Sequence, residues 1–348
     1  MEINSLLQKV VEKGASDLLI IANTPPVIRV NDVISYLGSE VLSESESKAL
    51  IYGLLTPKQI ETFEKEKELD CSYELKNAAR FRVNIHYQRG TAAASLRLIP
   101  SIIPSMEELK LPKVVADFAN IERGLILVTG PTGSGKTTTQ ACMVDMINNG
   151  RSRHVITIED PVEYTHKNNK SIIEQREVGI DTESFNSALK RVLRQNPDVI
   201  LIGEMRDLET IQTAITAAET GHLVISTLHT NDSVQSIDRI IDVFPPHQQS
   251  QIRMQVSLSL QGIIAQQLVS KKDNSGLIVA TEVLIPTSAV RNLIRKGSTQ
   301  EIYSMLDIGA KYGMMSMDAS LKNLYKSKLI TYEEALLHAM NQEHFDRL

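Results

Sequence analysis

Apolar residues recur at helical spacing from the N-terminus to Lys13, and Gly14 stops them. An unbroken apolar run then follows from Asp17 to Ala22. The first pattern predicts an amphipathic helix and the second a buried strand. Pro25-Pro26 breaks the strand, and Val27-Ile28-Arg29-Val30 resumes it. Ser43-Glu44-Ser45-Glu46 reads as a capped helix start, and Thr56-Pro57 opens another helix. Residues 70–75 and 79–86 alternate like half-exposed strands, Arg89-Gly90 is a turn, and 91–98 is a further strand ending at Pro100. Pro100, Pro104 and Pro112 punctuate a stretch without periodicity, which is a linker signature. Beyond it, strands over 125–129, 155–159, 199–203 and 223–226 alternate with helices over 136–148, 185–194 and 208–219. That alternation predicts a mainly parallel sheet with helices on both faces. Four helices are expected after residue 286, over 288–296, 299–312, 316–327 and 332–341. The expected organisation is an α/β domain over 1–100, a linker over 101–112, and an α/β domain over 113–348 with a helical C-terminal region.

Composition narrows the classes of function. The 348 residues are 42% hydrophobic and 23% charged, and the formal net charge is -5. No whole-chain basic surplus points to nucleic acid, and the absence of tryptophan argues against a base-stacking channel. Cys71 and Cys142 form no pair motif, so a disulfide scaffold and a four-cysteine zinc site are excluded. Both read as small buried apolar residues in a reducing compartment. The longest apolar stretches are strand-sized, whereas a membrane span needs about 20 residues. A soluble cytoplasmic protein without direct membrane insertion is expected, recruited by partners if it works at a membrane.

Gly130-Pro131-Thr132-Gly133-Ser134-Gly135-Lys136-Thr137 matches the P-loop pattern in full, and Thr138 follows it. It lies between an expected strand and an expected helix, the context the motif requires. Glycines there let backbone N–H groups ring a phosphate, and the helix N-terminus adds positive potential. Lys136 is placed to reach the β- and γ-phosphates of ATP, and the Thr137 hydroxyl to ligate Mg²⁺.

Asp198-Val199-Ile200-Leu201-Ile202-Gly203-Glu204 is an apolar strand ending in a carboxylate. In an α/β sheet that acid emerges at the edge where the P-loop sits, so Glu204 is a Walker B candidate, holding Mg²⁺ directly or through water. A second acidic strand end carries Glu159, Asp160 and Glu163. One of these carboxylates is a candidate to orient and polarise the attacking water. Glu163, past the proline turn, is favoured, while Glu159 and Asp160 fit Mg²⁺ waters and the loop itself. His222 and His229 flank the next strand, and His229 falls on the catalytic edge, in reach of a γ-phosphate. Arg80, Arg82, Arg89 and Arg97 cluster in the first domain, and period two puts Arg80 and Arg82 on one strand face. They read either as a solvated patch or as arginine fingers.

Taken in order and spacing, the P-loop, the acidic box over 157–164, the Walker B stretch over 196–207 and the histidine box over 220–232 resemble the secretion-type traffic ATPases, which power type IV pili and type II secretion. The run from Ala289 to Lys296 is similar to the AIRNLIRE motif of the pilus-retraction branch, with Val290 for Ile and Lys296 for Glu. Residues 313–321 and 14–20 resemble that branch too, with Leu19 where many members have His. The resemblance implies a homohexameric ring of subunits, each with a PAS-like N-terminal domain and a RecA-like ATPase domain, with ATP bound between the domains. It implies Glu163 as catalytic glutamate, Glu204 as Walker B acid and His229 in a phosphate-sensing box. Arg82 and Arg97 lie in segments similar to the arginine-finger region. It also implies an inner-membrane pilus platform protein as partner. The alternatives are an extension or type II secretion ATPase, a RecA-like DNA motor, and a nucleotide-binding regulator with little turnover. Two cysteines do not build the four-cysteine insert frequent in extension ATPases. Apolar Val290, Leu293 and Ile294 are expected to pack, leaving Arg291 and Arg295 as surface charges.

Overall fold

A computed structural model describes residues 2–30, 33–76, 78–99 and 102–345. Pro100 and Ser101, where the expected linker begins, lie outside the described residues. The chain divides into two compact units. One comprises Met1–Ile102 with Pro161–Thr165, and the other Ile103–Asp160 with His166–Leu348.

The first unit contains α1 (Ile3–Glu12), β1 (Asp17–Ile20), β2 (Val27–Val30), β3 (Val33–Tyr36), α2 (Glu44–Tyr52), α3 (Pro57–Glu66), β4 (Glu68–Leu75), β5 (Ala79–Gln88) and β6 (Thr91–Ile99). Its six strands pair antiparallel in the order β3-β2-β1-β6-β5-β4. Capping boxes start two helices, with Ser43 and Glu46 on α2 and Thr56 and Gln59 on α3. Strand alternation sends Phe81, Val83 and Ile85 into a core shared with Leu6, Leu7, Leu18 and Leu96. The opposite face is polar. Register places Arg29, Asp17, Arg97 and Arg82 in one row across four strands.

The second unit begins with α4 (Met106–Leu109) and α5 (Val114–Ala119). Next come β7 (Gly124–Thr129), α6 (Lys136–Gly150), β8 (His154–Glu159), β9 (Ile172–Glu177), α7 (Phe185–Val192), β10 (Val199–Ile202), α8 (Leu208–Glu219) and β11 (Leu223–Leu228). Then follow α9 (Ser233–Asp242), α10 (Pro246–Ser259), β12 (Leu260–Ser270) and β13 (Leu277–Leu284). The chain closes with α11 (Ser288–Lys296), α12 (Ile302–Ile308), α13 (Met317–Lys326), α14 (Tyr332–His338) and α15 (Gln342–Phe345). The sheet order is β13-β12-β7-β11-β10-β8-β9, and every pair except β12–β13 is parallel. This is the expected mixed α/β class with a mainly parallel sheet. Every residue of the central strands β7 and β11 is buried. Each buried Leu, Ile or Val there contributes about 1.5–3 kcal/mol, so the middle of the sheet is its most stable part.

Differences from the sequence pattern have local causes. The helix expected over 299–312 is broken into Thr299–Glu301, α12 and Gly309–Tyr312, because Gly309 packs so closely on Met314 that a Cβ would lie 2.3 Å from its Sδ. Strand β12 has a bulge between Leu260 and Gly262, where the Phe118 ring occupies the space a side chain would need. Cys71 and Cys142 are buried and unbridged, and burial pushes the Cys142 thiol up to about 11.

In the first unit Glu64 binds the Tyr52 hydroxyl, Lys48 Nζ at 3.0 Å and the Tyr87 hydroxyl at 3.1 Å, tying α3 to α2 and β5. The Tyr52 hydrogen bond, and then that of Lys48, lowers the Glu64 carboxyl to about 2. A depressed folded value stabilises the protein above the ordinary carboxylate value, and the effect is lost as pH falls towards the folded one. We therefore expect Glu64→Gln to lower the urea midpoint at pH 7, and the difference from wild type to shrink steadily between about pH 4.5 and 2. A pH-independent difference would remove this linkage.

Candidate active site

Parallel strands put their C-terminal ends on one edge of the sheet. Register levels them: Thr129 of β7 pairs with Leu228 of β11, Ser226 of β11 with Ile202 of β10, and Ile202 with Ile158 of β8. The P-loop therefore leaves β7, His229 follows β11, Glu204 follows β10, and Glu159 closes β8, all at one level.

The loop from β7 to α6 has its glycines at positive φ: Gly130 at 144°, Gly133 at 79° and Gly135 at 85°. Side chains rarely adopt that backbone. At Gly130 space forbids one as well, since a Cβ would lie 2.3 Å from the Gln266 carbonyl oxygen. At Gly133 a Cβ would meet nothing within 4 Å, so the loop is open there. Lys136 is buried, and its ammonium donates to the carbonyls of Gly130 and Pro131, both at 2.9 Å. Thr137 and Thr138 lie in the first turn of α6. Pro131, Thr132 and Ser134 complete the loop, and Ser134 is buried.

Glu204 stands between Arg206 and His229. Its Oε2 lies 2.8 Å from Arg206 Nη2, and its Oε1 lies 3.0 Å from His229 Nε2. Burial is the largest single influence and raises the carboxyl. The Arg206 hydrogen bond and the charges of His229 and Arg206 together outweigh it, and the acid sits below its ordinary value. Hydroxyls brace its turn: Ser226 donates to the Ile202 carbonyl at 3.0 Å and Thr227 to the Gly203 carbonyl at 2.6 Å. Glu159 is buried, and its Oε1 accepts from Thr157 Oγ1 at 2.6 Å and Gln175 Nε2 at 3.1 Å. His222 sits at the far end of β11, with Nδ1 3.0 Å from the Ala217 carbonyl.

The other expected residues belong to the first unit. Glu163 belongs to Pro161–Thr165, which clusters with the first unit, and its Oε1 lies 3.9 Å from Arg82 Nη1. Arg97 faces Arg82 across the β5–β6 ladder and pairs with Asp17 at 3.0 Å. Among the described residues no group of three or more His, Cys, Asp or Glu side chains stands ready to hold a metal ion. A divalent cation here would take one hydroxyl, one or two carboxylates and phosphate oxygens, the usual donor set for Mg²⁺. Thr137 at the start of α6 and the ionised Glu204 fit that set.

Arg206 and Gln266 were not singled out from sequence. Arg206 lies two residues past Glu204, in the stretch already read as Walker B, so its spacing was the available signal. Gln266 had none, lying in β12, a segment without clear periodicity. The expectation for Arg291 is corrected. It is half-buried and engaged rather than a free surface charge: Nη1 donates to the carbonyls of Ser257 at 2.5 Å and Leu258 at 3.2 Å, and Nη2 to Gln261 Oε1 at 3.3 Å. Helix ends leave carbonyls unsatisfied, and Arg291 caps those of α10. Arg295 Nη1 reaches Ser257 Oγ at 3.4 Å. Val290 and Ile294 are buried, with Leu293 packed beside them.

Residues 2–328 match the family described as type II/IV secretion system protein. The chain is 46% identical to the type IV pilus retraction ATPase PilT of Pseudomonas aeruginosa, over 99% of this chain and 100% of that protein. It is 45% identical to a twitching motility protein of Neisseria gonorrhoeae, over 93% of this chain and 86% of that one. Among solved structures, the pilus retraction motor PilT with bound ADP superposes with a TM-score of 0.94, at 45% identity and with full coverage of both chains.

The Arg291 cap generates a stability prediction. Arg291→Ala removes the donor from one part-buried and one exposed helix-end carbonyl and should cost about 0.5–1.5 kcal/mol, read as a lower urea midpoint. An unchanged midpoint would show that water replaces the guanidinium without loss.

Proposed function

Because the chain belongs to the type II/IV secretion system protein family, we propose that it is an ATP-hydrolysing hexameric motor that powers type IV pilus retraction. The observation that carries the chemistry is the open loop over 130–137, its glycines at positive φ, set level with Glu204, with His229 just past the strand between them. The retraction assignment is supported by full-length similarity to the retraction ATPase PilT. A solved structure of a pilus retraction motor PilT, 45% identical to this chain, carries ADP, which supports nucleotide as the ligand of this loop.

In this reading the amides over 130–138 and Lys136 hold the phosphates, and Lys136 exchanges its two loop carbonyls for phosphate oxygens. Thr137 and Glu204, with Glu159 acting through water, would hold Mg²⁺, which would supply positive charge to offset that of the β- and γ-phosphates. His229 and Arg206 keep Glu204 ionised and aimed at the edge. His229 also lies where a γ-phosphate can be sensed. Glu163 orients and polarises the attacking water, and Arg82 and Arg97 offset charge on the transferring phosphoryl group. Subunits form a homohexameric ring, with the work passed to a pilus platform protein at the inner face of the cytoplasmic membrane. Among the described residues no helix is long and apolar enough to cross a membrane, so recruitment by that partner is part of the proposal. Nucleic acid is not a stable partner in this reading.

Phosphate release by the purified protein tests the chemistry. Lys136→Ala should abolish turnover with the fold intact, and turnover within about threefold of wild type, against the 10²-fold or greater losses expected of such a group, would sink the P-loop assignment. Glu163→Gln should bind ATP and hydrolyse it about 10² to 10⁴-fold more slowly. Normal turnover by Glu163→Gln together with a dead Glu159→Gln would move the catalytic role to Glu159.

A further inference from the structure

Gln266 is an odd residue for its position. It lies on β12 just after Ala265, whose partner on β7 is Thr129, and its side chain is 1% exposed. Burying a carboxamide is unfavourable unless it is hydrogen-bonded. Gln266 Nε2 donates to the Ser134 carbonyl at 3.2 Å, while Oε1 accepts no hydrogen bond among the described residues. Its contacts converge on the P-loop. The Gln266 carbonyl oxygen presses on Gly130, and a Cβ at Gly135 would lie 3.7 Å from Nε2. The Ser134 hydroxyl, also buried and without a hydrogen-bond partner among the described residues, crowds the same face of Gly130.

We propose that Gln266 is a positioning residue for nucleotide binding: its carboxamide holds the Ser134 carbonyl so that the Gly135 N–H faces the phosphates. A trans peptide is planar, with its C=O and N–H pointing in opposite directions. Fixing the Ser134 carbonyl towards β12 therefore aims the Gly135 N–H away from β12, into the loop. Without the clamp, the peptide plane is free to rotate about the flanking dihedrals, which glycine at 135 leaves soft. A loop amide that grips ATP and ADP alike contributes uniform binding, so its loss raises KM and leaves kcat nearly unchanged. This rests on the nucleotide-binding reading of the loop.

The test compares Gln266→Met, which keeps volume and removes the donor, with Gln266→Glu, which keeps shape and replaces the donor by an acceptor. ADP affinity is measured without Mg²⁺, alongside KM and kcat for ATP, with Lys136→Ala as reference. Both Gln266 variants should bind ADP about 3- to 10-fold more weakly and raise KM in step, as expected for one lost hydrogen bond, with kcat little changed. Gln266→Met alone decides the matter should Gln266→Glu not fold. A lowered melting temperature with wild-type ADP affinity and KM would make Gln266 a packing residue and overturn the proposal, as would wild-type behaviour in every measurement. If Lys136→Ala also binds ADP normally, the nucleotide site itself is misassigned. If only Lys136→Ala loses affinity, the clamp alone is wrong.

Discussion

The parallel register of β7, β11, β10 and β8 is the constraint on which the second unit's chemistry depends. Strands of one direction and one level deliver a glycine-rich loop, a histidine and two carboxylates to a single edge, although these residues are spread over a hundred positions of sequence. A one-residue slip of β10 would turn its side chains to the opposite faces and unseat Glu204. Hydroxyl bonds from Ser226 and Thr227 to the backbone of β10 oppose such a slip where it matters most. Buried apolar side chains on both faces of β7 and β11 supply the energy, and these few polar contacts supply the alignment.

Charge is arranged with similar economy. Glu204 is partly buried, an environment that favours its neutral form, yet Arg206 and His229 hold it ionised. In the first unit Arg82 and Arg97 stand directly opposite each other, an arrangement that by itself is unfavourable. Asp17, paired with Arg97 and flanked by Arg29, relieves part of that repulsion, and Glu163 stands near Arg82.

Much of the fold was legible because burial writes strong patterns. The largely buried strands β7, β8 and β10 and the capped helices α2 and α3 followed from periodicity and cap residues. β12 did not: Gly262 and Gln266 interrupt its apolar pattern, for reasons of packing against Phe118 and the P-loop that only the folded neighbours reveal. The site was legible where one segment carries the whole message, as in the P-loop and at Glu204. It was not legible where a side chain acts across the fold. Arg291 looked like a surface charge because helical spacing reports the face of a helix, and the carbonyls it caps belong to α10, more than thirty residues away.

Direction of force is the central functional claim, and it is best tested in cells rather than on the purified protein. Deleting the gene and counting surface pili, with twitching scored on the same strain, separates the two senses of the motor. Retraction predicts excess pili and no twitching, restored by wild type but not by Lys136→Ala. Cells without pili would contradict the account and assign the motor to extension.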